Sequence, residues 1–413
     1  MSARKPLLSV DAATAAILDE VVVGFGETVA IEESCGRTLR TSLVSAIDQP
    51  PFVASAMDGY AVRSADLKHS ETAATASLRV VGEAAAGHPF DGPLPPMSGV
   101  RIFTGGMLPE GADCVLIQED AVRKGDVLTS SAVVEPGQWV RAAGGDFSTG
   151  QTLVEAGTIL TARDILLTAS AGHANCVVTQ APRVGILATG DELVAPGGSL
   201  APGQIFSSVP AGLAALVTEF GGVPVPLGIA EDTPEALGAR LAKADACDVL
   251  MTIGGASVGD HDLVHAALRQ WGVDLSFWKI AMRPGKPLMY GRRRSASGVQ
   301  HVIGLPGNPV SGMVCARIFV APLLAALLGR SAGSLAPQRL PLATPRPANG
   351  PRRHYMRGQI HSSDAGRQQV RVLPRQDSSL TSVLAAANAL VVTPENAPAA
   401  DPGTVVDVLP LDF

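Results

Sequence analysis

The sequence predicts a multidomain protein of the α/β and β classes, with a parallel α/β domain between a β-rich N-terminal lobe and a small C-terminal β domain. Three observations predict this fold class. Strand-like apolar runs alternate with helix-like segments from residue 183 to 330, which is typical of a parallel sheet covered by helices. Short β-like runs broken by Gly and Pro occupy the chain on either side. The 44 glycines and 31 prolines favour many turns in a chain of 413 residues.

The first predicted elements are a helix and a β-rich lobe. Ser9 is a suitable N-cap for a helix over 10–21, and Asp11 would lie at the positive end of its dipole. From residue 49 to about 145 the pattern changes to short β-like runs, and a helical pattern returns at 162–171. The β-like runs are 77–81, 100–103, 114–117 and 132–134.

The α/β domain and the C-terminal domain follow. The predicted strands of the α/β domain are 183–188, 223–229, 248–253 and 301–305, and its predicted helices are 211–220, 234–244, 261–271 and 310–328. The remainder, from residue 337, is rich in Pro and indicates a separate small β domain. Its β-like runs are 369–373, 389–393 and 404–408.

The composition excludes several classes of protein. Hydrophobic residues make up 46% of the chain, which is too much for a disordered protein. The formal net charge of −6 argues against a nucleic-acid-binding surface. Five scattered cysteines without a C-x-x-C pair argue against a disulfide framework or a zinc site. The longest apolar run, 318–329, is short for a membrane span and no export signal follows Lys5, so we expect a cytoplasmic protein.

Three polar, glycine-containing segments begin where strands of the predicted sheet end. They are ATGDEL (188–193), IGGASVGD (253–260) and GLPGNP (304–309). Ligands of an open parallel sheet bind outside the carboxyl ends of its strands, so this placement predicts a site at that edge. Each segment alone would also serve as an ordinary turn between a strand and a helix.

The second of these segments predicts a phosphate cradle. Its glycines let backbone N–H groups approach an anion, the next helix points its positive end there, and Ser257 adds a hydroxyl donor. Acidic residues at the strand ends offer the oxygen ligands that Mg²⁺ takes when it also binds substrate phosphates. These residues are Asp191, Glu192, Asp260 and Asp262. The alternative is that two or more of them only cap helices, as Asp260 would.

A basic segment, FWKIAMRPGKP (277–287), follows the α/β helices. Its cations Lys279, Arg283 and Lys286 would bind phosphate groups and spread negative charge in a transition state. A solvated basic hairpin is the alternative. We predict that the next basic run, 292–294, is an exposed loop tip.

Other polar residues are less decisive. His261 and His265 fall on one helical face, but without a third ligand they predict surface or core packing rather than a metal site. Asp58-Gly59 is a hairpin signal, so Asp58 is either a turn residue or a site carboxylate. Polar groups also lie beside glycines at 104–106 and 141–146.

Seven strings occur along the chain in a specific order. They are SAMDGYAV (55–62), IFTGGMLPEGADCVLIQED (102–120), RAAGGDF (141–147), ILATGDEL (186–193), TIGGASVGDHD (252–262), FWKIAMRPGKP (277–287) and LPGNPVSG (305–312). With these strings the sequence resembles the molybdopterin molybdenumtransferase family, which includes bacterial MoeA and the E domain of gephyrin, over essentially its whole length.

The resemblance implies an elongated homodimer with four domains per subunit and an active site between the subunits. A helical, dimerising domain would combine 1–48 with 147–180, and a β-rich lobe would span 49–146. The molybdopterin-binding α/β domain would span 181–330, and a C-terminal β-barrel would span 331–413.

The resemblance also implies a reaction. Adenylylated molybdopterin and molybdate would be the substrates, AMP would be released, and a divalent cation such as Mg²⁺ would assist. The family roles fall on these residues: catalytic Asp58, Thr104, Asp146, Asp232, Lys279 and Lys286; cofactor-binding Gly254, Gly255, Ser257, Gly259, Pro306, Gly307, Asn308 and Pro309; metal-binding Glu192 and Asp262. Transient contact with molybdopterin adenylyltransferase and with molybdoenzyme chaperones is expected, and no nucleic-acid or membrane partner.

Two departures from the family pattern concern substrate detail. Ser207 and Val209 stand where the family has an Asp and an Asn, and Arg283 stands where it usually has a Lys. Three alternatives stay open. They are the preceding adenylylation of molybdopterin by ATP, a peptide-anchoring scaffold like gephyrin, and a molybdopterin-binding homologue that has lost turnover.

Overall fold

The computed structural model describes residues 7–67, 75–254, 263–295, 298–330, 336–363 and 366–411. Helix α1 (Val10–Leu18) comes first and begins where the Ser9 side chain accepts a hydrogen bond from the Ala12 N–H. Helix α2 is Ala162–Ser170. The strands of this N-terminal part are β1 (Gly26–Ala30), β2 (Leu43–Val44), β3 (Ala54–Ser55), β4 (Gly59–Val62), β5 (Ala76–Ala84), β6 (Ser98–Ile102), β7 (Cys114–Ile117), β8 (Val122–Lys124), β9 (Val127–Ser130), β10 (Val140–Arg141), β11 (Thr152–Val154) and β12 (Asn175–Thr179).

The lobe is built on one sheet with the order β7-β4-β6-β5-β9-β8. Its second strand, β4, is buried along its whole length because it pairs antiparallel with both β6 and β7. The predicted run 132–134 is not a strand: the Ala132 N–H donates to the Ser130 hydroxyl instead of to a neighbouring strand.

Chain segments before and after the lobe form one small unit. Strand β1 pairs with β12 and β2 pairs with β11, so residues 26–44 lie against 152–179. We predicted a helical domain here, but the unit contains one α-helix, α2, and four strands among the described residues. Helix α1 lies elsewhere, because its apolar residues Val10, Ala13 and Ile17 are buried in the core of the α/β domain.

The α/β domain alternates strands and helices as predicted. Its strands are β13 (Arg183–Thr189), β14 (Leu193–Val194), β15 (Ile205–Phe206), β16 (Val223–Ala230), β17 (Val249–Ile253), β18 (Asp274–Phe277), β19 (Met282–Arg283), β20 (Met289–Ser295) and β21 (Gly298–Leu305). Its helices are α3 (Val209–Glu219), α4 (Pro234–Ala242), α5 (Leu263–Gln270), α6 (Pro309–Cys315) and α7 (Ala321–Leu328), and a π-helical turn, Ala316–Val320, joins α6 to α7.

The main sheet is mixed rather than wholly parallel. Its order is β16-β13-β17-β21-β20-β18, in which β16, β13, β17 and β21 are parallel and β20 runs antiparallel to both of its neighbours, β21 and β18. Strand β20 runs against β21 because only two residues separate the two strands in the sequence, and so short a connection joins antiparallel strands only.

Helices cover both faces of this sheet. Side chains from α1, α3, α6 and α7 share one core, and side chains from α4 and α5 share the other. The continuous helix Pro309–Leu328 is long and apolar enough to cross a membrane by length and composition alone. Because 83% of it is buried inside the fold, it serves as the central core helix.

The C-terminal domain curls around its own core. Its elements are β22 (Gln338–Pro341), β23 (Arg353–Ser362), β24 (Gln368–Val372), α8 (Thr381–Ala386), β25 (Ala389–Thr393) and β26 (Val405–Pro410). The sheet order is β19-β23-β25-β26-β22, and β24 pairs with β23. A bridge between Leu342 and Val370 brings the ends of this sheet together. Strand β19 belongs to the α/β domain, so the two domains share a sheet.

The run 292–294 is not the exposed loop tip that we predicted, because it lies on strand β20. The Arg292 guanidinium donates to the Tyr290 hydroxyl at 2.9 Å and to the Ala16 carbonyl at 3.0 Å. Arg293 pairs with Asp245 at 2.8 Å and lies over the Trp271 ring. These contacts hold the C-terminal end of α1 and the edge of the sheet together.

The position of Gly59 predicts a large stability difference. A Cβ at Gly59 would lie 2.1 Å from the Leu116 carbonyl oxygen, because β4 runs between two paired strands. We expect Gly59→Ala to lower the free energy of unfolding by roughly 3 kcal/mol or more in urea titrations. Gly238→Ala is the control: it lies within α4 with no atom within 4 Å, so it should stabilise by about 0.5–1 kcal/mol. Equal effects would contradict this.

Candidate functional site

Four segments meet at one edge of the main sheet. The parallel strands β13, β17 and β21 end there at Thr189, Ile253 and Leu305. Strand β18 runs in the same direction as β21, because both pair antiparallel with β20. The segment that follows β18, which carries Lys279, therefore starts at the same edge.

The loops after β13, β17 and β21 touch one another through backbone. Gly254 has φ of +90°, and its N–H donates to the Leu305 carbonyl at 3.2 Å. A Cβ at Gly254 would lie 2.6 Å from the Thr189 carbonyl oxygen, and one at Gly307 would lie 3.5 Å from the Gly254 Cα. Only glycine therefore fits at position 254, whereas a Cβ at position 307 would make an ordinary van der Waals contact. Five predicted site residues of this region, Gly255, Ser257, Gly259, Asp260 and Asp262, lie outside the described residues, as does His261.

Acidic side chains lie beside this contact. The Asp191 carboxylate accepts a hydrogen bond from the Asp232 N–H at 3.3 Å, which joins the loops after β13 and β16. The Glu192 carboxylate folds back over Gly190, where a Cβ would lie 2.6 Å from its Oε2. Within the described ranges no three His, Cys, Asp or Glu side chains form a group able to hold a metal. Carboxylates of this kind do fit Mg²⁺, which takes one or two of them together with substrate phosphate oxygens.

The cations of the basic segment all lie on the surface. Lys279, Arg283 and Lys286 are exposed, and none forms an ion pair with a described carboxylate. The Ile280 N–H donates to the Lys286 carbonyl at 3.1 Å, and the buried Cys315 thiol lies 3.9 Å from the Gly285 carbonyl. The Ile280–Lys286 hydrogen bond closes the loop, and Cys315 packs against its buried side. The lysine and arginine side chains therefore extend into solvent.

Aromatic stacking fixes the start of this segment. The Lys279 Nζ lies 5.8 Å from the centroid of the Trp278 ring, and the His265 ring stacks on Trp278 with centroids 4.5 Å apart. His265 thus packs against the segment that carries Lys279. The stack joins α5 to the segment that carries Lys279.

Sequence reasoning missed Arg357, whose side chain is fully buried between the α/β and C-terminal domains. Its Nη2 donates to the Asp377 carbonyl at 2.9 Å, while Nε and Nη1 have no hydrogen-bond partner within the described structure. Burial lowers its pKa, the Asp377 charge opposes this shift, and the Arg283 charge adds to it. A buried guanidinium with unpaired donors is costly unless an anion binds it. No signal in the sequence pointed to it, because its strand, RHYMRGQIHS (353–362), contains several other polar residues.

Two further polar groups at the same domain seam have unmet hydrogen-bonding capacity. The Asn308 Oδ1 at the start of α6 is buried without a partner among described atoms, close to where the Val310 N–H donates to the Ser378 carbonyl. Burial and the Arg283 charge lower the pKa of His354 to about 4, so its ring is neutral at pH 7. The seam is therefore rich in cationic and neutral donors.

The departures at 207–209 change one rim of the site. The Ser207 hydroxyl is buried with no partner in the part of the chain that the structure describes, and Val209 is buried in the core at the start of α3. Beside them lies a cavity of about 390 Å³ between α3, α6 and α8. Its walls include Pro309, Met313 and Leu384. This rim is apolar where the family pattern would have placed a carboxylate and an amide.

The lobe holds a second group of predicted residues. The Asp58 Oδ1 accepts hydrogen bonds from the Thr104 N–H and hydroxyl, both at 2.8 Å, and these bonds lower the pKa of Asp58. Asp58 is not the turn of a two-residue hairpin, because β3 before it pairs with β10 rather than with β4. Asp58 is a carboxylate directly before strand β4.

Asp146 lies on the same lobe. It lines a cavity of about 530 Å³ with Gln49, Pro50 and Arg141. No hydrogen bond or ion pair between described residues joins Asp58, Thr104 or Asp146 to the edge of the α/β sheet. The predicted site residues therefore form two separate groups within one chain.

Comparison with known proteins gives matches along the whole chain. Residues 8–172 match the MoeA N-terminal region (domain I and II), 185–326 a probable molybdopterin binding domain, and 339–411 the MoeA C-terminal region (domain IV). The chain is 35% identical to a molybdopterin molybdenumtransferase of Haemophilus influenzae over 390 residues, 94% of each protein. It is similar to two solved MoeA structures from Pyrococcus horikoshii, with TM-scores of 0.86 and 0.82 at 29% and 26% identity, covering 99% and 98% of this chain and 100% of those chains.

The unpaired donors of Arg357 predict an anion effect on stability. We expect tetrahedral oxyanions such as sulfate or molybdate to raise the melting temperature of the wild-type protein, because binding stabilises the folded state. Arg357→Met should keep or raise the melting temperature without anion and abolish the anion-dependent rise. Arg339→Met, whose side chain is 74% exposed on β22, should respond like wild type. An anion-dependent rise that survives in Arg357→Met would refute the site.

Proposed function

The chain belongs to the molybdopterin molybdenumtransferase family, and on that premise we propose that it inserts molybdenum from molybdate into adenylylated molybdopterin. The reaction releases AMP and forms the molybdenum cofactor. The observation that carries this proposal is the seam between the α/β and C-terminal domains. There Arg283 lies opposite His354 where β19 pairs with β23, the Val310 N–H of α6 donates to the Ser378 carbonyl, and Arg357 is buried with unpaired donors.

The cradle and the cations would bind the pyrophosphate of the substrate. The backbone N–H groups of Gly307 and Asn308, in the loop between Pro306 and Pro309, would donate to its phosphoryl oxygens together with those of Gly255, Ser257 and Gly259, while Gly254 lets the loops approach one another. Lys279 and Lys286 would neutralise the charge that develops when the bond between the two phosphoryl groups breaks and AMP leaves. The exposure of both lysines, without a carboxylate partner among described residues, supports this role.

Molybdate would bind at the domain seam as the second substrate. The Nε–H group of Arg357 or its Nη1–H groups, which lack partners within the described structure, would donate to a molybdate oxygen, because hydrogen bonds from a charged donor to an oxyanion are strong. Arg283, in place of the usual lysine, adds a second planar donor nearby. The His354 ring is neutral at pH 7, so it adds no further positive charge beside Arg357 and Arg283.

Glu192 and Asp262 would hold Mg²⁺, which would neutralise phosphate charge when bound. The fit rests on the donor chemistry of the carboxylates at this edge. Asp232, whose N–H is bonded to Asp191, would shape the cleft beside them.

We infer that the lobe of one subunit closes over the α/β domain of its partner in a homodimer. This arrangement would bring Asp58, Thr104 and Asp146 to the cradle, which they do not reach by hydrogen bonds within one chain. The small unit in which residues 26–44 lie against 152–179 would contribute to dimerisation.

The remaining assignments follow the family. We propose a cytoplasmic enzyme that meets molybdopterin adenylyltransferase and molybdoenzyme chaperones transiently, without nucleic-acid or membrane partners. The adenylylation alternative would need neither the lobe nor the C-terminal domain. A degenerate homologue is the outcome to exclude, because Ser207 and Val209 remove polar groups from one rim.

The test is AMP release from adenylylated molybdopterin with Mg²⁺, with and without molybdate. We expect release that depends on molybdate, with molybdenum retained on the pterin product. Tight substrate binding without release would indicate a degenerate homologue, and ATP consumption with unmodified molybdopterin would indicate the adenylylation step.

The exposed position of Lys286 predicts a functional effect without a structural one. We expect Lys286→Met to lower kcat/KM roughly 10- to 1,000-fold and to leave the melting temperature unchanged, because exposed cations contribute little to stability. Lys243→Met is the matched control, since Lys243 is exposed at the C-terminal end of α4. A Lys286→Met protein with wild-type turnover would contradict the assignment.

A mixing experiment tests the site between subunits. Asp58→Asn and Lys286→Met proteins should each be nearly inactive, but unfolding and refolding them together should restore about a quarter of wild-type activity. In half of the dimers, one site would then be free of both substitutions. Mixtures that stay inactive, although the hybrid dimer is isolated through two different affinity tags, would show that each subunit works alone.

A further inference from the structure

Arg101 on β6 has more contacts than its surface position requires. Its Nη1 donates to the Gly59 carbonyl at 3.1 Å, and its Nη2 donates to the Gln118 Oε1 at 2.9 Å. Its Cζ lies 5.2 Å from the centroid of the Tyr60 ring and 4.8 Å from that of Phe103. The guanidinium is thus held between two aromatic rings and two acceptors.

Both acceptors belong to segments that hold Asp58. Gly59 follows Asp58 directly, and the Gln118 N–H donates to the Asp58 carbonyl at 3.1 Å. Arg101 therefore joins the residue after Asp58 to the residue that fixes its main chain. The Thr104 bonds orient the side chain of Asp58 from a third direction.

The sheet explains why an arginine is needed here. Arg101 lies opposite Tyr60 in the pairing of β6 with β4, so its side chain extends along the ladder toward the start of β4. A planar fork reaches two acceptors at once and stacks on the rings, whereas an ammonium offers a point charge. The charge of Arg101 also contributes to the lowered pKa of Asp58.

We propose that Arg101 is a positioning residue of the enzyme, which fixes the direction of the Asp58 carboxylate through Gly59 and Gln118 so that it meets the partner's substrate in the closed site. This inference rests on the proposed role of Asp58. Arg101 would be an additional residue of the site. It does not belong to the polar residues beside glycines that the sequence pattern marked.

The test compares Arg101→Met, Arg101→Lys and the control Arg123→Met. Arg123 is on the edge strand β8, where it pairs with Asp126 and bonds to the Gly125 carbonyl. The readouts are kcat and KM for AMP release, the melting temperature, and the titration of the Asp58 carboxyl followed by NMR.

We expect Arg101→Met to lower kcat roughly 10- to 100-fold, because a small misplacement of a site group is enough for such a loss. KM should change less than kcat, and the Asp58 pKa should rise. Arg101→Lys should restore the Asp58 pKa toward wild type but not kcat. Arg123→Met should behave as wild type in every readout.

Unchanged kcat in a folded Arg101→Met protein, or full rescue of kcat by lysine, would overturn the proposal. If Arg101→Met does not fold, Gln118→Leu is the substitute, because it removes one acceptor of the same guanidinium. The kcat of Gln118→Leu should fall, while titration of its Asp58 carboxyl is still observed by NMR. The NMR titration needs no turnover. If the Asp58 pKa and the Thr104 amide chemical shift are the same in Arg101→Met as in wild type, this inference would therefore be overturned separately from the proposed function.

Discussion

A short backbone pairing between two domains is the contact on which the site depends. Strand β19 pairs in parallel with β23, with Met282 opposite Arg353 and Arg283 opposite His354. Because main-chain hydrogen bonds set this register, the loop that carries Lys286 and the strand that carries Arg357 are held at one seam. Helix α1 reinforces it, since Asp11 forms a bidentate ion pair with Arg353 at 2.6 and 2.8 Å.

The seam keeps polar groups that the rest of the fold would not tolerate. Arg357 and Asn308 are buried with unpaired atoms, although the interior around them is largely apolar. Such groups cost stability, and the extensive core around the helix Pro309–Leu328 offsets that cost. Unmet hydrogen-bonding capacity next to an apolar cavity is what a site for an oxyanion and a planar ring system requires.

The two groups of polar residues have different mechanical supports. Those at the sheet edge rest on parallel strands whose loops touch at Gly254, so their positions follow from the α/β core. Asp58 and Thr104 rest on a separate sheet and are held by hydrogen bonds from three neighbouring segments. Each group is supported separately, and the proposed closure of one subunit's lobe over its partner would bring the two together.

Local pattern in the sequence determined the domain order, the strand-end loops and most elements, because periodicity and Gly or Pro punctuation are local properties. It predicted the positions of Gly254, Pro306 and Lys279 relative to strands. Tertiary structure alone decided that α1 joins the α/β core, that β20 runs antiparallel to its neighbours β21 and β18, and that the basic run 292–294 lies on a strand. It also decided that Arg357 is buried with unpaired donors, because the burial of a side chain depends on which segments pack against it.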